Sequence, residues 1–212
     1  MASKPGKVVI RVSGEALAKV MRHGLSHPRR EVAGLLIGRE RKEELLVTDA
    51  VTGRQRGSAG HVSLDDSLMA ALSELLEGQR GNLYVVGWYH THPGMGVFLS
   101  AVDYATQLNY QRLYPKAVAL VVDPWEFAKS GGLSPSCFKF FRVMEDSGLV
   151  VEVPTLVEGE VRVPPFLVRR ELPATPYPDD SAPSFVDPGG SEGRGLLYYL
   201  NELISRIAWW RQ

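Results

Sequence analysis

The chain has 212 residues, 44% of them hydrophobic, with 24 basic and 24 acidic side chains and a formal net charge of zero. That length suits one domain with a real core plus an appendage, and the charge balance leaves no global field for nucleic acid or an anionic membrane. A single cysteine, Cys137, excludes an internal disulfide framework, and neither a membrane span nor a secretory leader is visible, so a cytoplasmic protein is expected.

Val8–Val12 reads as a short strand. Ser13 caps a helix from about Gly14 to Gly24, with Leu17, Val20 and Met21 on one face and Gly24 as its stop. His23 and His27, near that stop, are read as solvated or as partners of the helix terminus rather than as metal ligands. Glu31 stands at the mouth of the apolar strand Val32–Gly38. A buried carboxylate is costly without a partner, so on this segment alone Glu31 is an exposed acid beside Arg29 and Arg30.

Leu45-Leu46-Val47 continues the sheet. Residues 52–60 are polar and glycine-rich and form a loop, with His61 at its edge on the surface. Ser63 caps a helix over about residues 64–78, whose inner face carries Leu68, Leu72, Leu75 and Leu76.

The stretch Val85-Val86-Gly87-Trp88-Tyr89-His90-Thr91-His92-Pro93 dominates the middle of the chain. An apolar run rich in valine and aromatics is a buried strand, and two histidines sit where it gives out. Residues two apart on a strand share a face, so His90 and His92 can reach one metal ion. Pro93, Gly94 and Gly96 make a turn. Ser100 opens the next helix, and Asp103 falls one turn later on the same side. Ser-x-x-Asp by itself is a helix-capping device. Set behind a His-x-His-Pro strand end, it completes two imidazoles and one carboxylate, the ligand set of a catalytic zinc with one position left for water. A zinc site of that kind needs a general base, and Glu31 is the leading candidate.

Ala101–Leu113 is helical, with Tyr104, Leu108 and Gln111 at helix spacing, and Pro115 ends it. Ala117–Val122 is a buried strand closed by Asp123-Pro124, and Phe138–Val143 is a further strand after a Gly/Ser/Pro-rich loop at 130–136. Cys137 reads as a small buried hydrophobe. Trp88 and Phe98 are read as packing the site rather than touching substrate. Strands alternating with helices indicate a layered α/β domain over residues 1–153. Residues 154–195 hold an edge hairpin within 154–172 and then a Pro/Gly/Ser-rich linker. Residues 196–212 form an amphipathic helix with Leu200, Leu203, Ile204, Ile207 and Trp210 in one stripe. That stripe can dock back on the domain, meet a partner, or pair with a second copy as a homo-oligomer.

Glu31, His90-x-His92-Pro93, Ser100 and Asp103 together resemble the JAMM (MPN+) zinc metalloproteases. The run from Val85 to Asp103, with Gly34–Gly38 and Ala117–Pro124, is similar above all to the branch that serves as deubiquitinase in the proteasome lid. The likeness covers about residues 8–145. It implies a cytidine-deaminase-like fold of the MPN (JAB1/MPN/Mov34) type, a layered mixed sheet with flanking helices. It also implies a Zn2+-dependent isopeptidase acting on ubiquitin or ubiquitin-like conjugates, coupled to a proteasome or an AAA ATPase. His90, His92 and Asp103 would be the ligands, Glu31 the general base, and Ser100 the support of the attacking water or the oxyanion. The loop at about 52–63 would order into a hairpin against the modifier's tail. Val97 stands where that branch has a cysteine, and the short C-terminal part fits a simpler, archaeal-type relative. A hydrolase of sulfur-carrier or small peptide substrates, and a non-catalytic scaffold, are the alternatives. A nucleobase deaminase is disfavoured, because no Pro-Cys-x-x-Cys is present.

Overall fold

A computed structural model describes residues 8–52, 55–56, 63–64 and 83–168. Residues 65–78 of the helix expected over 64–78, His61, the linker to residue 195 and the C-terminal helix lie outside the described residues, whereas Ser63, expected to cap that helix, and Leu64, its expected first residue, form a short strand.

The first strand, β1 (Val9–Ser13), runs directly into α1 (Gly14–Ser26), and Ser13 caps that helix by accepting the Ala16 N–H at 3.1 Å. The helix continues past Gly24 to a cap at His27. Gly24 is instead a packing residue. A Cβ there would come within 3.1 Å of Thr91 and 3.2 Å of Pro124. Next come β2 (Ala33–Arg41), β3 (Glu44–Val51), and the two-residue strands β4 (Gln55–Arg56) and β5 (Ser63–Leu64), which pair antiparallel with each other. They are followed by β6 (Tyr84–Thr91), α2 (Ala101–Leu113), β7 (Val118–Val122), α3 (Pro124–Ser130), β8 (Phe138–Val143), β9 (Val150–Glu152), β10 (Thr155–Glu158) and α4 (Pro165–Val168).

Eight strands form one mixed sheet in the order β10-β1-β3-β2-β6-β7-β8-β9. β9 and β10 occupy opposite edges, yet only Val153 and Pro154 separate them in the chain. A few residues span at most ~3.5 Å each, so the two edges are drawn together and the sheet is strongly curled. Val153 N–H bonds Phe140 O on one side, and Ile10 N–H bonds Pro154 O on the other. The hairpin expected within 154–172 is therefore a parallel addition of β10 to β1, and the sheet does not end at residue 153.

The hydrophobic core lies inside this curl. It unites Ile10 and Val12 from β1 with Phe140 from β8, and between them sit Leu17, Val20, Met21 and Leu25 of α1. Helix α2 packs on β7 and β8 from the other side, and its buried face is polar, with Thr106, Gln107 and Gln111 among the buried residues. The apolar spacing of Tyr104 and Leu108 does not mark that face; both are only half-buried. Gln107 donates to Gln111 Oε1 and Ala117 O, and its Oε1 accepts the Trp88 indole N–H at 2.9 Å. Gln111 in turn exchanges two bonds with the Val143 backbone. Buried polar groups are tolerated when fully bonded, and this network clamps α2 to β6, β7 and β8.

Candidate metal centre

His90 is the penultimate residue of β6, and His92 follows the strand's end. The His92 N–H still bonds Val122 O at 2.8 Å, so the β7 ladder holds its backbone beyond the last strand residue. Helix α2 supplies the third group. Ser100 is its N-cap, and the reciprocal capping box is present: Ser100 Oγ accepts the Asp103 N–H at 3.3 Å, while Asp103 Oδ2 accepts the Ser100 N–H at 2.8 Å. The capping device thus also places the candidate metal ligand, because Asp103 Oδ2, which accepts the Ser100 N–H, lies at the strand end beside His90.

The three donor atoms converge. His90 Nε2 and His92 Nε2 are 3.0 Å apart, and Asp103 Oδ2 lies 3.3 Å from the first and 3.7 Å from the second. Ligands about 2.0–2.2 Å from a tetrahedral zinc stand about 3.3 Å from one another, so the spacing fits that ion. The donor chemistry fits as well, with borderline nitrogen donors joined by one hard carboxylate. All three residues are buried. The Asp103 carboxyl would be raised by burial, but attraction to His90 and hydrogen bonds from His90, His92 and Ser100 hold it far below the usual carboxylate range.

The imidazoles are fixed by their surroundings. His92 Nδ1 meets Gly96 O at 3.3 Å, which leaves Nε2 for the shared point. Burial opposes a charge on His92, but the Asp103 hydrogen bond and the field of Glu31 and Asp103 raise its pKa above the ordinary value. The His90 ring stacks on Trp88 at 4.7 Å and 13°. Phe98 lies against His92 at 4.7 Å and is 47% exposed, so it packs the site while facing solvent.

Glu31 is exposed, just before β2. In the antiparallel ladder Ala33 pairs with His90. Beyond it, Val32 N–H bonds Thr91 Oγ1 and Thr91 N–H bonds Val32 O, each at 2.9 Å, which carries the register on to Glu31 opposite His92. All five residues singled out in the sequence therefore gather at one end of β6.

Sequence reasoning missed α3 and the residue that starts it. Asp123 is 1% exposed, caps α3, and accepts N–H bonds from Gly94, Gly96, Trp125 and Glu126. Asp followed by Pro at the first helical position was the available signal. His23 also differs from expectation. It is not a solvated residue but a partly buried one, with Nδ1 2.9 Å from Tyr89 OH. Cys137 is buried, as expected, and burial raises its thiol pKa.

A family model described as "JAB1/Mov34/MPN/PAD-1 ubiquitin protease" matches residues 6–116. The 26S proteasome regulatory subunit RPN11 of Candida glabrata is 38% identical over 125 residues, 58% of this chain and 41% of that protein. The ubiquitin carboxyl-terminal hydrolase RPN11 of Saccharomyces cerevisiae is 37% identical over 125 residues, with the same coverage. COP9 signalosome complex subunit 5 of Gibberella zeae is 33% identical over 137 residues, 62% of this chain and 40% of that one. The chain thus spans about two fifths of the length of these curated relatives.

Proposed function

The chain belongs to the JAB1/Mov34/MPN/PAD-1 ubiquitin protease family, and from that premise we propose that it is a zinc-dependent isopeptidase. Its substrate is the bond between the C-terminal glycine of ubiquitin, or of a ubiquitin-like modifier, and a lysine amine. The observation that carries this reading is the meeting of His90 Nε2, His92 Nε2 and Asp103 Oδ2 within 3.0–3.7 Å, with Glu31 and Ser100 at the same strand end. A scaffold of this fold has no use for two imidazoles and a carboxylate buried against one another.

Zinc, when bound by these three residues, supplies Lewis acidity near neutral pH. Glu31, across the ladder from His92, takes a proton from the attacking water and delivers it to the leaving amine. Ser100 Oγ accepts the Asp103 N–H, which leaves its own proton to donate to the oxyanion that develops on the scissile carbonyl. The short β4–β5 ladder offers main-chain groups to an extended, glycine-ended tail. The relatives named as proteasome and signalosome subunits support work within or beside such an assembly; a cytoplasmic location and delivery of conjugates by an AAA ATPase belong to the same proposal.

The test is cleavage of a ubiquitin-like protein fused through its C-terminal Gly-Gly to a reporter, by the full zinc-loaded chain, with and without a chelator. Cleavage after the second glycine that the chelator abolishes is the expected result. Cleavage insensitive to chelation would overturn the assignment.

A further inference from the structure

We infer that Asp123 and Trp125, at the start of α3, are positioning residues for the metal centre: Asp123 sets the His92 ring through Gly96, and Trp125 seats the Glu31 segment through Pro28. The inference rests on the isopeptidase reading for its functional meaning, but its geometry is separate. Asp123 Oδ1 accepts N–H bonds from Gly94 (2.9 Å), Trp125 (2.9 Å) and Glu126 (3.3 Å). Oδ2 accepts only one among the described bonds, from Gly96 at 2.9 Å. Gly96 O is the atom that meets His92 Nδ1. A buried carboxylate therefore grips the turn after His92-Pro93, and that turn holds the ring nitrogen opposite the one facing the shared point. Such outer groups fix ring orientation and tautomer.

Trp125 works on the same turn and on a second segment. Its ring covers Gly94, where φ is +74° and a Cβ would come within 2.7 Å of Trp125 Cε3. Its indole N–H bonds Pro28 O at 2.9 Å, three residues before Glu31. One short helix start thus ties together the His92 turn and the Glu31 segment, which are far apart in sequence. Neither residue touches the point where the three donors converge; both act through others.

D123N separates this role from simple capping. Its remaining oxygen can serve Gly94, Trp125 and Glu126, while its amide nitrogen would oppose the Gly96 N–H, donor against donor. Zinc affinity of the full chain, measured by competition with a chromophoric chelator, should fall about 10–100-fold, with a changed visible spectrum of the Co2+-loaded protein and a parent-like circular dichroism spectrum. W125F keeps a ring over Gly94 but loses the bond to Pro28. It should retain parental zinc affinity and lower kcat about tenfold with KM unchanged; if D123N does not fold, a parent whose His92 ring 15N shifts show no Nδ1–H overturns the Asp123 assignment. Parental zinc affinity and Co2+ spectrum in a folded D123N would overturn the Asp123 assignment, and parental kcat in W125F would overturn that of Trp125. A parent that binds no zinc would instead end the isopeptidase reading. The Asp123 role is then decided by the ring 15N shifts of His92, which report Nδ1–H in the parent and must lose that preference in D123N.

Discussion

His90 and His92 bring their Nε2 atoms to 3.0 Å of each other, with the Asp103 carboxylate 3.3 and 3.7 Å away. Two ring nitrogens at that distance cannot both carry protons pointing at each other; a cation between them lets both offer lone pairs. Replacing His90 or Asp103 with alanine should therefore abolish zinc retention, read as metal per chain after gel filtration. In the parent, bound metal at about 100 times its Kd adds about 2.7 kcal/mol. Chelation should then lower Tm by about 5–10 °C for a chain of this size, and the two alanine variants should show no such shift. A full zinc complement in either variant would refute the ligand assignment.

Glu31 is exposed and outside the triad, so Glu31→Gln should leave zinc content and thermal stability at parental values. Loss of a general base typically costs about 10²–10⁴ in rate. Single-turnover cleavage of a modifier–reporter fusion at the parental rate would show that the proton acceptor lies elsewhere.

Ser100 has two duties, and they are separable by size of effect. Ser100→Ala removes the cap on Asp103 N–H and should cost about 1 kcal/mol of stability. If the hydroxyl also serves the oxyanion, kcat falls about 10²–10³-fold, far more than so small a loss of stability can explain. A kcat within a fewfold of the parent would leave Ser100 with the cap alone.

The convergence of His90, His92 and Asp103 was legible because its parts are local: a strand end, a turn and a capped helix lie within residues 84–113. The same locality made Ala101–Leu113 readable to the residue. What could not be read depends on distant partners. Gln107 and Gln111 look like the solvent face of a helix until the Trp88 indole and the Val143 backbone are placed beside them. β10 pairs with β1 across more than 140 residues, and nothing in Thr155–Glu158 announces the partner. Asp123-Pro124 reads as the end of a strand and is equally the start of a helix, and the four N–H groups that meet Asp123 come from two separate segments.

Gln107→Leu tests the polar clamp. Gln107 is fully buried, and a leucine would leave the Trp88 N–H and the Ala117 carbonyl without their present partner. Unsatisfied buried groups cost about 1–3 kcal/mol each, so urea denaturation should show a loss of about 2–4 kcal/mol. A loss below 1 kcal/mol would mean that α2 is held by something other than this network.

His23 should make the domain acid-sensitive. Burial, aided by repulsion from His27 and Arg30, pushes its pKa from 6.5 down to about 4. The geometry gives the reason: Nδ1 lies 2.9 Å from Tyr89 OH, and Nε2 lies 3.4 Å from Thr52 Oγ1. A neutral ring accepts the tyrosine proton at Nδ1 and donates from Nε2, whereas a protonated ring would turn a donor toward that hydroxyl proton. In the unfolded chain His23 takes up a proton near pH 6.5; in the native chain it does so only near pH 4. Between these values the unfolded state binds more protons, so stability is complete above pH 6.5 and declines as pH falls toward 4. The full shift corresponds to about 3 kcal/mol. His23→Gln keeps an acceptor for Tyr89 and cannot titrate. With chelator present in both samples to remove metal linkage, parental stability should fall between pH 6.5 and 4.5 more steeply than that of the variant. Parallel pH profiles would show that His23 titrates alike in the native and unfolded states.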